Sequence, residues 1–183
     1  MKHYFLILFL CASLFGANAY FSFDIQNQYD IHSDFLDVDM DDSFDKGSIA
    51  FGINQTIHRN EQFGIALGCM FTFDAFENDY TDEELDLYSL YVRPYFVLSD
   101  KTLLWASIGN ATTESTESSF QPGLTYGIGI QIKRTERLSV GFSYNVYNAS
   151  MNMDEYNDGL YNFDSATIKL KLKKLSADLI YSF

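Results

Sequence analysis

The chain has 183 residues, with 12 lysines and arginines against 25 aspartates and glutamates, a formal net charge of -13, and 17% aromatic residues, nearly all of them tyrosine and phenylalanine. So negative a balance argues against binding nucleic acid or an anionic lipid surface through bulk attraction. Such an aromatic content is within the range of soluble domains, but membrane-spanning barrels need it for their interfacial girdles.

The amino terminus opens on Met1-Lys2-His3, runs apolar from Tyr4 to Phe15, and reaches Ala17-Asn18-Ala19 before Tyr20. A positive start, a short apolar centre and a small-residue site predict a secretory signal peptide over 1–19. Cys11 lies within the apolar run and follows Leu10, where a lipid-attachment motif wants a small residue. Removal of 19 residues leaves 164, takes the charge from -13 to -14 with the loss of Lys2, and leaves Cys69 as the one cysteine, so no intramolecular disulfide forms. No second apolar run reaches membrane-helix length. An exported chain without a helical anchor is integral only as a closed barrel, and residues 20–183 suffice for about eight strands of about 9–11 spanning residues in one domain.

Strand-like alternation begins at once. Phe21, Phe23 and Ile25 oppose Ser22, Asp24, Gln26 and Gln28, predicting a first strand over 20–30. Asp30 to Asp45 follows as an acidic loop. A second strand over 48–57 sets Ile49, Phe51, Ile53 and Ile57 against Ser48, Ala50, Gly52, Asn54 and Thr56; the turn His58 to Gln62 leads to a third, where Phe63, Ile65, Leu67, Cys69, Phe71 and Phe73 oppose Gly64, Ala66, Gly68, Met70, Thr72 and Asp74. Large apolar residues on one face and small ones on the other fit lipid outside and a narrow lumen inside. A soluble ligand-binding barrel calls for the reverse polarity.

A second acidic loop, within Asp74 to Asp86, precedes a fourth strand over 85–98, with Tyr88, Leu90, Val92, Phe96 and Leu98 outward and Ser89, Tyr91, Arg93 and Tyr95 inward. Pro94 lacks a ladder donor, so a bulge or local distortion is expected there. After the turn Ser99-Asp100-Lys101 a fifth strand runs over 102–110, with Trp105 opposite Leu104, Ala106 and Ile108, and Ala111 to Gln121 forms a third loop. The sixth and seventh strands make the clearest hairpin: Leu124, Tyr126, Ile128, Ile130 and Ile132 outward, the turn Arg134 to Arg137, then Leu138, Val140, Phe142, Tyr144 and Val146 outward. Asn148 to Asp164 is the fourth loop.

The last strand, from about Ser165, carries Ile168, Leu170 and Leu172 at even positions but Leu175, Ala177, Leu179, Tyr181 and Phe183 at odd ones. That change of parity predicts a bulge or face switch at Lys173-Lys174. The four long loops hold 20 of the 25 acidic residues, whereas Arg59, Lys101, Lys133, Arg134 and Arg137 lie at the short turns.

Four constellations bear on chemistry. Asp37, Asp39 and Asp41 alternate as in an EF-hand, but Asp42 stands where glycine is needed and Ser48 where the closing glutamate belongs, so the run reads as a solvated loop. His32-Ser33-Asp34 holds the residue types of a hydrolase site, yet neighbours in sequence rarely converge on one substrate atom, and His58 belongs to the opposite side of the membrane. Lys169, Lys171 and Lys173 share a face beside Lys174: turned inward, they and Arg93 would pair with Asp24, Asp74 or Asp86 to fill the lumen, the preferred reading; raised above the bilayer, they would meet lipopolysaccharide phosphates. No catalytic, cofactor-binding or metal-binding residue is assigned.

The hairpin from Tyr126 to Tyr144, the stretch Val92-Arg93-Pro94-Tyr95 and the terminal strand ending on Phe183 resemble the small eight-stranded outer-membrane barrels of the OmpX-like and OmpA-barrel-like family. The resemblance implies an eight-stranded antiparallel transmembrane β-barrel with up-and-down meander order, seated in the outer membrane of a Gram-negative bacterium, with short periplasmic turns, long exterior loops and a C-terminal strand read by the barrel assembly machinery. It brings no catalytic residues. The expected role is non-enzymatic: structural, or surface interaction through acidic loops that meet lipopolysaccharide, cations, or host and neighbouring surfaces. A narrow, porin-like channel favouring small cations is the alternative.

Overall fold

The structure is a computed structural model that describes residues 17–33, 38–44, 47–78, 83–114, 121–153, 156–157, 162–163 and 166–183; the side chains of 33, 38–44, 74–78, 83–85, 114, 151–153, 156–157, 162–163 and 166 lie outside the description. Strand β1 (Asn18–Ser33) is followed by β2 (Val38–Phe44), β3 (Ile49–Arg59), β4 (Phe63–Asn78), β5 (Glu83–Ser99), β6 (Thr102–Glu114), β7 (Gly123–Lys133), β8 (Leu138–Met153), a short pair β9 (Tyr156–Asn157) and β10 (Asn162–Phe163), and β11 (Ala166–Ser182). Every pairing is antiparallel. Because β11 pairs with β1, the strands β1, β3 to β8 and β11 close into an eight-stranded up-and-down barrel. Along β1, residues 18–23 pair with β3 and residues 27–33 pair with β2, which folds back as a hairpin above β3.

The three short turns are closed by side chains that accept backbone N–H groups. Asn60 Oδ1 takes the amides of Gln62 and Phe63 at 3.0 and 2.7 Å, Ser99 Oγ those of Lys101 and Thr102 at 3.3 and 3.1 Å, and Thr135 Oγ1 those of Arg137 and Leu138 at 3.3 and 3.0 Å. Short polar side chains of this kind substitute for a ladder partner where the chain reverses.

The alternation read from the sequence sets the faces of β3, β4, β7 and the lower part of β8. Outward positions such as Leu90, Ile108, Ile128 and Phe142 are exposed, while Ala50, Ala66, Ser139 and Ser143 on the inner face are buried. Rings on the outer face touch edge to face across strands: Phe21 with Phe51 (4.9 Å between centroids), Phe71 with Tyr88 (4.5 Å), and near the turns Phe63 with Phe96 (5.2 Å). Such contacts suit an apolar outer surface bounded by aromatic residues.

Three expectations need correction. No bulge or face switch occurs at Lys173-Lys174: β11 keeps one register against β8 throughout, and even-numbered residues point inward from Leu170 to Ile180. The extra residue is on the partner strand, where the register of β1 slips between Asp24 and Gln26 at Ile25, so that Gln26 and Gln28 point outward and Asn27 inward. What changes along β11 is the surroundings of each face. Below Lys174, outward Leu175 and Leu179 lie on the apolar belt; above it, outward positions carry Lys169, Lys171 and Lys173 while inward Leu170 and Leu172 are buried in a dry cluster. The wall thus continues past the belt with its polarity inverted.

The same inversion explains the second correction. Parts of all four expected loops are strand: β1 runs to Ser33, β4 to Asn78, β6 to Glu114 and β8 to Met153, with β11 resuming at Ala166. Beyond the belt the described outward residues of β1, β6, β8 and β11 are polar, among them Gln28, Asn110, Asn148 and Lys169, so their alternation no longer reads as a membrane strand. Third, of the bulge or local distortion expected at Pro94 only the distortion occurs: Pro94 sits opposite Ile65 of β4 in unbroken register, while on the β6 side pairing lapses at Arg93 and Pro94, between Val92 with Ile108 and Tyr95 with Trp105, without a slip.

Candidate functional site

Among the described residues the lumen gathers charged, polar and aromatic side chains, and it is filled at three levels. Towards the long-loop end, Leu87, Ala111, Tyr147, Ala149, Leu170 and Leu172 form a buried cluster against Tyr29, Ile31 and Met70. Tyr147 donates to the Met70 sulfur at 3.9 Å.

Below it lies a polar layer. Lys174 Nζ is 2.8 Å from Asp24 Oδ2, and it also donates to Ser48 Oγ, whose own hydroxyl donates to the same carboxylate. Ser176 Oγ completes the shell of Asp24 by donating to Oδ1 at 2.5 Å. A second carboxylate, Asp178, accepts from Ser22 Oγ at 2.5 Å. Four of these residues descend from the alternation itself: Lys174, Ser176 and Asp178 are successive inward positions of β11, and Asp24 is the last inward residue of β1 before the bulge.

The third layer is an aromatic stack around Arg93. Its guanidinium carbon stands 3.9 Å from the Trp105 ring centre, 4.6 Å from that of Tyr91 and 5.1 Å from that of Tyr20, and the two tyrosine hydroxyls are hydrogen-bonded to each other. Cation–π attraction stabilises a guanidinium that is out of water. Glycines make the room: Gly52 faces Tyr20, Gly68 faces Tyr91, Gly64 faces Tyr95 and Gly129 faces Trp105 across neighbouring strands, and a Cβ at any of the four would overlap the ring opposite.

Of the residues singled out in the sequence, the lysine that meets Asp24 inside the barrel is Lys174, whereas Lys169, Lys171 and Lys173, on the opposite face of β11, point outward, against the preferred lumen reading. Lys173 pairs there with Asp30 at 2.8 Å. Arg93 points inward yet meets rings rather than a carboxylate; the side chain of Asp74 lies outside the described residues. His32 belongs to β1, while the side chain of Ser33 and the whole of Asp34 fall outside the described residues. Asp37 does too, while Asp39 and Asp41 belong to β2. Among the described residues no three His, Cys, Asp or Glu side chains gather as metal ligands. The aromatic stack was not anticipated, although its signal is present: inward glycines on β3, β4 and β7 opposite inward aromatics on β1, β5 and β6.

A sequence model of the outer membrane protein beta-barrel domain matches residues 6–173. No curated protein matches the sequence. Among solved structures, AlkL in lipid bilayers is similar over 92% of this chain and 90% of its own, at 10% identity and a TM-score of 0.51. The attachment invasion locus protein Ail of Yersinia pestis is 18% identical over 92% of this chain and 99% of its own, with a TM-score of 0.48, and OprG of Pseudomonas aeruginosa is 11% identical over 92% and 96%, with a TM-score of 0.47. With the family match spanning most of the sequence and the strands closing as described, the chain belongs to the outer membrane protein β-barrel domain family and is an integral β-barrel of the Gram-negative outer membrane.

Proposed function

We propose that this barrel is a closed stem for surface interaction: it holds the outer ends of its strands and its acidic loops at the cell surface, and carries no solute and no catalytic centre. The observation that supports this most directly is the lumen, packed at three levels by the Leu87–Leu172 cluster, the Lys174–Asp24 pair and the Arg93 stack. An eight-stranded barrel has room for little besides its own side chains. The wall that rises above the belt then acts as a rigid pedestal, and sites for partners are commonly carried by loops on such scaffolds.

The partners in this reading are outer-membrane lipid and lipopolysaccharide, whose phosphates stand level with outward Lys169, Lys171 and Lys173, and a host or neighbouring-cell surface met by the loops. The chain is exported on residues 1–19, so that the mature protein starts at Tyr20, and the strand ending on Phe183 is offered to the barrel assembly machinery. Amino-terminal sequencing of protein recovered from outer membranes tests the cleavage point.

The deciding experiment is planar-bilayer conductance of refolded protein whose folding has been checked by a heat-shift gel. Insertion without discrete current steps is the expected result. Cation-selective steps that shrink when the acidic residues of 30–45 are neutralised would replace the stem with a narrow channel.

A further inference from the structure

Beneath the Arg93 stack the lumen is not filled. A cavity of about 400 Å³ opens at the short-turn end, with Arg93 and Trp105 in its floor and the charged residues Arg59, Lys101, Lys133, Asp100 and Glu136 around its mouth. In a chain of net charge -13 this cavity carries four cations and two carboxylates. The basic short turns noted in the sequence therefore converge on one space. Arg59 and Lys133 reach it because Arg59 lies opposite inward Gly64, past the bulge of β3 at Ile57, and Lys133 continues the inward series of Gly129 and Gln131.

Two features make this more than a solvated rim. Among the described residues, none of Arg59, Arg93, Lys101 and Lys133 has a carboxylate within ion-pair distance. In addition, the Nε of Arg93 is buried and has no hydrogen-bond acceptor. A buried charged donor without an acceptor is costly, and native structures rarely leave one unexplained. The three rings offset the charge of the guanidinium but accept no conventional hydrogen bond from its edge.

We infer that the short-turn cavity is a binding site for a small multivalent oxyanion, a polycarboxylate or a phosphorylated compound, entering from the periplasmic side. Its oxygens would meet the guanidinium of Arg93 at the floor while Lys101 and Lys133, as point charges, and Arg59, as a planar fork, close over it, an arrangement in which charge-assisted hydrogen bonds form where water is partly excluded. This site is independent of the surface-interaction reading, which concerns the opposite end of the barrel.

Trp105 is the single tryptophan of the chain and stacks on Arg93, so its emission reports the floor of the cavity. Protein refolded in a neutral-headgroup detergent is titrated with citrate and with pyrophosphate against sodium chloride of equal ionic strength. A saturable change in Trp105 emission with at least one of the two anions is expected; citrate alone assigns a carboxylate ligand and pyrophosphate alone a phosphate. Lys101→Gln with Lys133→Gln should weaken the midpoint by about tenfold or more, the scale of losing charge-assisted bonds, and Arg93→Met should abolish the change. Should Arg93→Met fail to fold, the double lysine variant decides, since both side chains are exposed. An emission that follows ionic strength alike for all three salts, or a double variant that titrates as the parent does, overturns the site.

Discussion

Lys174 on β11 and Asp24 on β1 meet inside the barrel with their side chains 2% and 3% exposed, Nζ to Oδ2 at 2.8 Å, one position below the bulge at Ile25. Two hydroxyls, from Ser48 and Ser176, donate to the carboxylate as well. Removing one member strands the other charge in a desolvated layer. Lys174→Met and Asp24→Asn are each expected to lower stability by about 3–5 kcal/mol, and the double variant to lose much less than the sum. Urea unfolding of refolded protein in vesicles measures this as a double-mutant cycle. Additive single costs below about 1 kcal/mol would mean that the pair is not formed. The coupling should also persist in high salt, because buried pairs are weakly screened.

The parity change of β11 was legible in the sequence, but its cause was not. Leu170, Leu172, Leu175 and Leu179 look like one strand that flips, because periodicity assumes that apolar residues share a face. In the barrel the strand stays in register and the solvent changes around it. Above Lys174 water lies outside and packed side chains inside, so that Leu170 is buried by the lumen while Leu179 faces lipid. The outward series of β3, β4 and β7 and the inward position of Arg93 followed from period-two alternation, and barrel closure from an exported chain without a helical anchor, since hydrocarbon tolerates no unpaired strand edge. The Arg93 stack required knowing which strands are neighbours and in which register, since Trp105, Tyr91 and Tyr20 come from three strands and their glycine partners from three others.

Gly68 lies opposite Tyr91, and a Cβ there would occupy the space of the phenol ring. Gly68→Ala should displace Tyr91, break its hydrogen bond with Tyr20 and loosen the stack on Arg93. A loss of about 1–3 kcal/mol is expected, the usual range for overpacking a filled interior, together with a shift in Trp105 emission. Unchanged emission and stability would show that the rings have slack, and hence that the lumen is less tightly closed.

Cys69 lies on the outward series of β4 between Leu67 and Phe71 and is half-buried. Maleimide reaction needs the thiolate, which lipid surroundings disfavour. A membrane-impermeant maleimide is therefore expected to leave Cys69 untouched in vesicles and to label it fully after urea unfolding. Rapid labelling of the folded protein would put this face of β4 in water and contradict the orientation of the whole wall.

The inversion along β11 makes opposite demands at positions that share its outer face. Leu179 sits on the apolar belt, paired with Phe21 and Val140, and is 48% exposed on the outer surface, whereas Lys171 stands on the same face above the belt, opposite Asp30 and Asn148. Leu179→Arg places a charge in hydrocarbon and should cost about 2–4 kcal/mol if the position lies near the bilayer centre, less towards the interface. Lys171→Gln changes a half-buried position on the outer face above the belt and should stay within about 0.5 kcal/mol. Guanidinium unfolding in phosphocholine vesicles gives both values under one condition. Equal costs at the two positions would mean that the belt extends past Lys173, and that the strand ends above it are embedded in the bilayer instead of standing over it.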